Sequence, residues 1–343
     1  MVQEIGSEFW DIPTTTKSNS MFLKTTEWFL SGRSALQAII NKLKDCHTVA
    51  MPCWCCDSMI KPFIDAGMEV RFYPVYVQKE SLIQELDLTS DVLFLMDYFG
   101  YAGKEFDLGC YKGLIVRDIT HSLFTNSYND ANYYFGSLRK WCGFWTGGFA
   151  WAKDNRKLIL DNNNNSASAY VSLRQEAMEL KDCYINEKSD RFGKRVTDKG
   201  FLSIFNQAEE LLENIGTIGA DKRDIVIAEK LDVNFIRTRR RSNAKVLMQA
   251  FADQLIFPTL NENDCPLFVP ILVPDGKRNP LRQYLIQHEI YCPVHWPVSE
   301  YHKIDTKTAE IYDNELSLVC DQRYTEEDMQ RIVDTIKMFW KEN

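Results

Sequence analysis

Between about residues 33 and 151 the chain alternates short, unbroken apolar runs with segments of helical spacing, and this pattern limits its fold more than any other feature. Leu36, Ile39, Ile40 and Leu43 recur at helical intervals and predict a helix over Ser34–Leu43. Thr48–Met51 reads as a buried strand. Asp57–Ala66 reads as a helix with Asp57 as its N-cap and Gly67 as its stop. Further strands are predicted at Glu69–Tyr73, Val92–Met96, Leu114–Arg117 and Tyr133–Ser137. A strand that is apolar at successive positions must be covered on both faces. Repeated between helices, such strands predict an α/β protein with a mostly parallel central sheet sandwiched by helices.

Beyond residue 151 the character changes. Residues 152–235 are polar, helical and irregular, with an exposed turn predicted at Asn162–Asn165 and a charged, mobile segment at Lys181–Lys199. A long helix is predicted over Val233–Leu255, and its basic run Arg237, Arg239, Arg240 and Arg241 reads as a solvated face. After Pro258, strand Leu267–Val273, helix Leu281–His288, strand Tyr291–Trp296 and helix Glu326–Trp340 form a smaller α+β unit. The expected division is a large domain over 1–230 and a small C-terminal domain over 231–343.

A net charge of −8 argues against nucleic acid or an anionic membrane as partner. No apolar run approaches the roughly 18 residues of a spanning helix. The opening MVQEIGSEFW has neither the basic nor the apolar region of a secretory signal, so a cytoplasmic protein is expected. Its ten cysteines are then free thiols. Cys53, Cys55 and Cys56 are crowded, but no second half of a zinc site accompanies them; buried cysteines and no metal are expected.

In open α/β sheets ligands bind beyond the carboxyl ends of the strands, and three segments place polar residues there or at a helix start. Ser31-Gly32-Arg33-Ser34 is a small-residue turn feeding a helix N-terminus. It suits an anion, and equally a plain helix start. Asp118 ends an apolar strand, where a carboxylate needs a cationic partner, or else caps the turn before Thr120. Lys140 follows a strand and is flanked by Trp141, Phe144 and Trp145. Desolvation there would free its amine for imine chemistry; the alternative is a solvated strand-end lysine. Ser137 and Lys140 also match the Ser-x-x-Lys motif of penicillin-interacting enzymes, but its companion motifs are absent.

Taken in order, these segments resemble the sugar aminotransferase family called DegT/DnrJ/EryC1/StrS, which has the type I fold of pyridoxal-phosphate-dependent transferases. Phe29–Leu36 is similar to that family's phosphate turn, Arg117-Asp-Ile-Thr-His121 to its Asp-x-Ala-Gln/His element, and Gly136–Lys140 with Gly147-Gly148 to its Schiff-base lysine and glycine pair. Arg239–Ala244 and Val294-His295-Trp296 carry the likeness into the C-terminal region. The resemblance implies a pyridoxal 5′-phosphate cofactor joined to Lys140, with Asp118 on its ring nitrogen and His121 against a ring face. Gly32, Arg33, Ser34 and Ser137 would bind its phosphate, Trp54 or Cys56 would stack on it, and His295 would face substrate. It implies transfer of an amino group from an amino acid, glutamate foremost, to a nucleotide-linked keto sugar in a homodimer. Departures lie at Arg33, where the family has threonine, at Phe135, where it has serine, and in the lack of an Asn-x-Arg segment between Ile215 and Ile227. They leave two alternatives: an idle relative that binds or regulates, and a pyridoxal-phosphate enzyme for amino acids.

Overall fold

The computed structural model describes residues 4–342 except 17–21, 23–24, 80, 103–105, 126–129, 159–164 and 213–215. The fold is mixed α/β. Its main sheet has seven strands: a parallel block of four and a block of three antiparallel neighbours. The chain groups into two compact units. One comprises the residues up to Ser7, Lys44–Asn132 and Val233–Asn343, and the other Glu8–Leu43 and Tyr133–Asp232.

The first unit holds the parallel block, in the order Leu114–Asp118, Val92–Met96, Thr48–Pro52, Glu69–Tyr73. Every residue of Val92–Met96 is buried, as an all-apolar strand inside such a sheet must be. Helix Asp57–Asp65 makes the crossover between Thr48–Pro52 and Glu69–Tyr73. Because the strands are parallel, their carboxyl ends share one edge, and Met96 stands directly beside Asp118. The same unit contains helix Val233–Ala250, helix Glu326–Glu342, and an antiparallel pair of Phe268–Leu272 with Glu315–Val319.

In the second unit Gly148–Ala152 lies between Glu27–Phe29 and Tyr133–Ser137, antiparallel to both. Helix Gly32–Ile40 follows the first of these strands. The long helix Asn165–Ile185 packs on Phe201–Leu211, with Tyr170, Ala177, Phe205 and Ala208 in their cores.

Several expectations need correction. The asparagine run lies outside the described residues except Asn165, which begins a helix. Lys181 is fully buried near the end of that helix, its ammonium 5.2 Å from the Trp10 ring centroid, so the mobile segment expected from Lys181 onward does not begin there. The helix N-cap expected at Asp57 is Cys56. The basic run on Val233–Ala250 is not a solvated face. Arg240 is fully buried on Gln322 and the carbonyls of Pro266 and Leu267, while Arg241 holds the carbonyls of Asn261 and Asp264. The expected strand Tyr291–Trp296 shrinks to Ile290–Tyr291, so His295 lies in irregular chain. No described helix is long and apolar enough to cross a membrane, and all ten cysteines are free.

Candidate functional site

Within the first unit, the carboxyl ends of the parallel strands gather a set of rings and carboxylates. The chain leaving Thr48–Pro52 carries Trp54, that leaving Val92–Met96 carries Asp97, Tyr98 and Phe99, and that leaving Leu114–Asp118 carries His121 and Ser122. Trp54 stacks on Tyr98 with ring centroids 4.9 Å apart, and its indole N–H donates to the His295 carbonyl at 2.5 Å. The Tyr98 hydroxyl returns to the Trp54 carbonyl at 2.6 Å. Trp54 is therefore packed among the chain's own rings, whereas Cys56 is half-buried, within 3.1 Å of the Ser58 hydroxyl.

His121 is buried in this set. Trp296 stacks over it at 5.7 Å, Phe99 lies at 5.1 Å and His295 at 5.9 Å. The Phe99 N–H donates to His121 Nδ1 at 3.4 Å, which leaves the proton of the neutral ring on Nε2. Asp118 is buried at the strand end, and its Oδ1 accepts the Thr120 N–H at 2.8 Å, so the turn-capping role foreseen for it is real. Asp97, missed in the sequence, accepts Arg117 Nη2 at 2.7 Å and Nε at 2.9 Å as well as the Ser122 hydroxyl. Arg117 also pairs with Asp130. Burial works against the Arg117 charge, but Asp97 and Asp130 outweigh it and hold the guanidinium above its ordinary range.

Within the second unit the turn Ser31–Ser34 caps helix Gly32–Ile40. Ser31 is the N-cap, and its hydroxyl accepts the Ser34 N–H at 3.2 Å. A Cβ built on Gly32 would meet nothing nearer than the Ser137 Cβ, at 3.5 Å. The turn therefore lies against Ser137, and it carries glycine where the packing leaves room for a methyl group. Three expected phosphate-site residues, Gly32, Ser34 and Ser137, are thus brought together. Arg33 reaches Glu209, 3.9 Å away. Glu209 also pairs with Arg139 and lies 4.0 Å from the buried Arg174, so one carboxylate ties this turn to the turn that holds Lys140. Nothing in the sequence marked Glu209, since its partners are far away along the chain.

Lys140 closes a short 3-10 turn, Leu138–Lys140, directly after Ser137. Trp141 and Phe144 are fully buried but Lys140 is exposed, so the expectation that they desolvate its amine is corrected. The aromatic side chains pack into the unit and leave the lysine outside.

No protein-family profile and no curated protein matches this chain in sequence. Solved structures do match in fold. Over 98% of this chain and all of the other, Helicobacter pylori PseC, an aminotransferase of pseudoaminic acid biosynthesis, superposes with a TM-score of 0.65 at 14% identity. A DegT DnrJ EryC1 StrS aminotransferase from Brucella abortus gives 0.57 at 15% identity, over 92% of this chain and 85% of its own. The PMP form of the putative sugar aminotransferase Spr1654 from Streptococcus pneumoniae gives 0.58 at 14%, over 96% and 91%. The chain has the fold of these aminotransferases, as its sequence motifs led us to expect.

Proposed function

We propose that this protein is a pyridoxal-phosphate-dependent aminotransferase that moves an amino group from an amino acid, glutamate foremost, to a nucleotide-linked keto sugar. The observation that carries the reading is Asp118: a carboxylate buried at the carboxyl end of a parallel strand, in a fold shared with solved aminotransferases, sugar aminotransferases among them. Gly32 adds support, because a glycine with room for a Cβ is what close approach of a phosphate to the Ser31–Ser34 backbone would require.

When bound, pyridoxal phosphate supplies the electron sink that lets an amino group and a proton change places. Asp118 would keep the ring nitrogen protonated by pairing with its charge. His121 would lie on a ring face, held in plane by Trp296. The Ser34 and Ser137 hydroxyls and the Gly32-Arg33 backbone would hold the phosphate, with Trp54 or Cys56 as the remaining neighbour. Lys140 Nζ would bind the cofactor and then take up and return the transferred proton. His295 would face the sugar. The proposal extends to a cytoplasmic homodimer, with a cofactor-binding region through residue 230 and a smaller region over 231–343.

The exposure of Lys140 favours a second reading, an idle relative that keeps the fold. Borohydride reduction of protein loaded with pyridoxal phosphate, followed by peptide mapping, separates the two. A label on Lys140 that Lys140→Ala abolishes, with loss of transamination, is the expected result. Absence of label, or a label on another lysine, overturns the proposal.

A further inference from the structure

Strand Glu315–Val319 carries Glu315 and Ser317 two residues apart, hence on one face, and both are fully buried. Against that face lies His295. Glu315 Oε2 accepts the His295 backbone N–H at 2.7 Å, and Oε1 accepts the Ser317 hydroxyl at 2.5 Å. Ser317 Oγ in turn stands 2.8 Å from His295 Nδ1. A hydroxyl has a single proton, so Ser317 cannot donate to Glu315 and to His295 together.

With the imidazole neutral, two proton arrangements satisfy the row. With Glu315 ionised, Ser317 donates to Oε1 and accepts from His295 Nδ1–H, which leaves Nε2 bare. With Glu315 protonated, its hydroxyl donates to Ser317, Ser317 donates to Nδ1, and the ring proton sits on Nε2. Passing from the second state to the first releases one proton, from the carboxyl, while the ring proton changes nitrogen. We infer that Glu315, acting through Ser317, sets the tautomer of His295 and so decides whether its Nε2 donates or accepts a hydrogen bond.

The surroundings make this a change within an accessible range of pH. Burial pushes the Glu315 carboxyl up to about 8, against the pull of the Ser317 and His295 hydrogen bonds and of Arg278. Arg278 donates to the backbone carbonyls of Tyr312 and Glu315 at 3.1 and 3.2 Å. Cys292, the buried thiol that Glu315 influences, is itself pushed up to about 12 and stays neutral through the transition. Around the imidazole stand Phe268 at 5.0 Å, Trp296 at 5.1 Å, Phe99 at 5.2 Å and His121 at 5.9 Å. His121 is thus the other titratable ring in the cluster. If the functional reading above holds, the switch sets how His295 addresses the sugar; the tautomer change itself does not depend on that reading.

The test uses the full chain without cofactor, labelled with 15N-histidine. Five histidines keep the spectrum tractable, and His295→Asn assigns the relevant signals. Between about pH 6 and about pH 10, His295 should pass from the Nε2–H to the Nδ1–H form, with a midpoint near the ionisation of Glu315. Glu315→Gln, whose amide donates as the protonated acid does, should hold Nε2–H throughout. Ser317→Ala should uncouple the ring from Glu315 and abolish the change. An unchanging tautomer in the wild type, an imidazolium throughout, or a transition that survives Glu315→Gln or Ser317→Ala overturns the inference. A chain that switches but takes up no pyridoxal phosphate counts against the proposed function alone.

Discussion

Gly148→Ala should loosen the helix start that we assign to phosphate binding. Gly148 opens the strand Gly148–Ala152 and pairs with both Phe29 and Ser137. A Cβ there would stand 2.0 Å from the Ser31 carbonyl oxygen, 2.2 Å from its carbon and 2.9 Å from the Gly32 nitrogen. All three are backbone atoms, so no rotamer change relieves the clash. A carbon–oxygen contact needs about 3.3 Å, so the Ser31 peptide must retreat by roughly 1.3 Å. That retreat disturbs the cap, in which Ser31 holds the Ser34 N–H on its hydroxyl and the Ala35 N–H on its carbonyl. Overpacking costs about 1–3 kcal/mol and a lost cap about 1 kcal/mol, so the expected penalty is about 2–4 kcal/mol. Native-state hydrogen exchange is the right assay, since it reads the opening of the turn itself. If local opening of the turn controls exchange, protection at Ser34 and Ala35 should fall by roughly 30- to 1000-fold at 1.4 kcal/mol per decade. Gly32→Ala is the control. Its Cβ meets nothing nearer than 3.5 Å, so stability should hold or rise by about 0.5–1 kcal/mol, while phosphate and pyridoxal phosphate bind more weakly. Unchanged protection in Gly148→Ala, or unchanged affinity in Gly32→Ala, would refute the reasoning.

Arg117→Met should cost about 3–5 kcal/mol, because it strips the buried Asp97 carboxylate of its cationic partner; a urea midpoint shift worth less than 1 kcal/mol would contradict this. Asn243, fully buried, donates to the carbonyls of Asp321 and Tyr324 at 3.0 Å and of Cys320 at 3.4 Å. Asn243→Ala should destabilise the first unit by about 2–3 kcal/mol, read as faster exchange in the helix Glu326–Glu342. Glu315 ionises near 4.5 in an unfolded chain but stays protonated to about 8 when folded, so the folded state loses stability as pH rises through that window. Glu315→Gln should therefore gain on the wild type from about pH 4.5 upward and level off above about pH 8, with a ceiling of about 4–5 kcal/mol. Parallel stability curves for the two proteins across that range would be the contrary result.

Much of the fold is legible in the sequence because strands of unbroken apolar residues have few places to go. Val92–Met96, Glu69–Tyr73 and Tyr133–Ser137 form with the expected limits, and the Ser31–Ser34 turn starts a helix as its residue types dictate. Gly148–Ala152 is hard to read as a strand because a glycine opens it, and Glu315–Val319 because Glu315 and Ser317 interrupt its short apolar run. The sequence by itself determined which residues stand at strand ends and helix starts, since backbone preference and apolar spacing act over a few residues. Only the tertiary structure decided what those residues meet. It put Arg33, Arg139 and Arg174 around Glu209, left Lys140 exposed beside buried aromatics, and set Ser317 between His295 and Glu315. Partners separated by tens to hundreds of residues are chosen by packing, and packing leaves no local mark on either one.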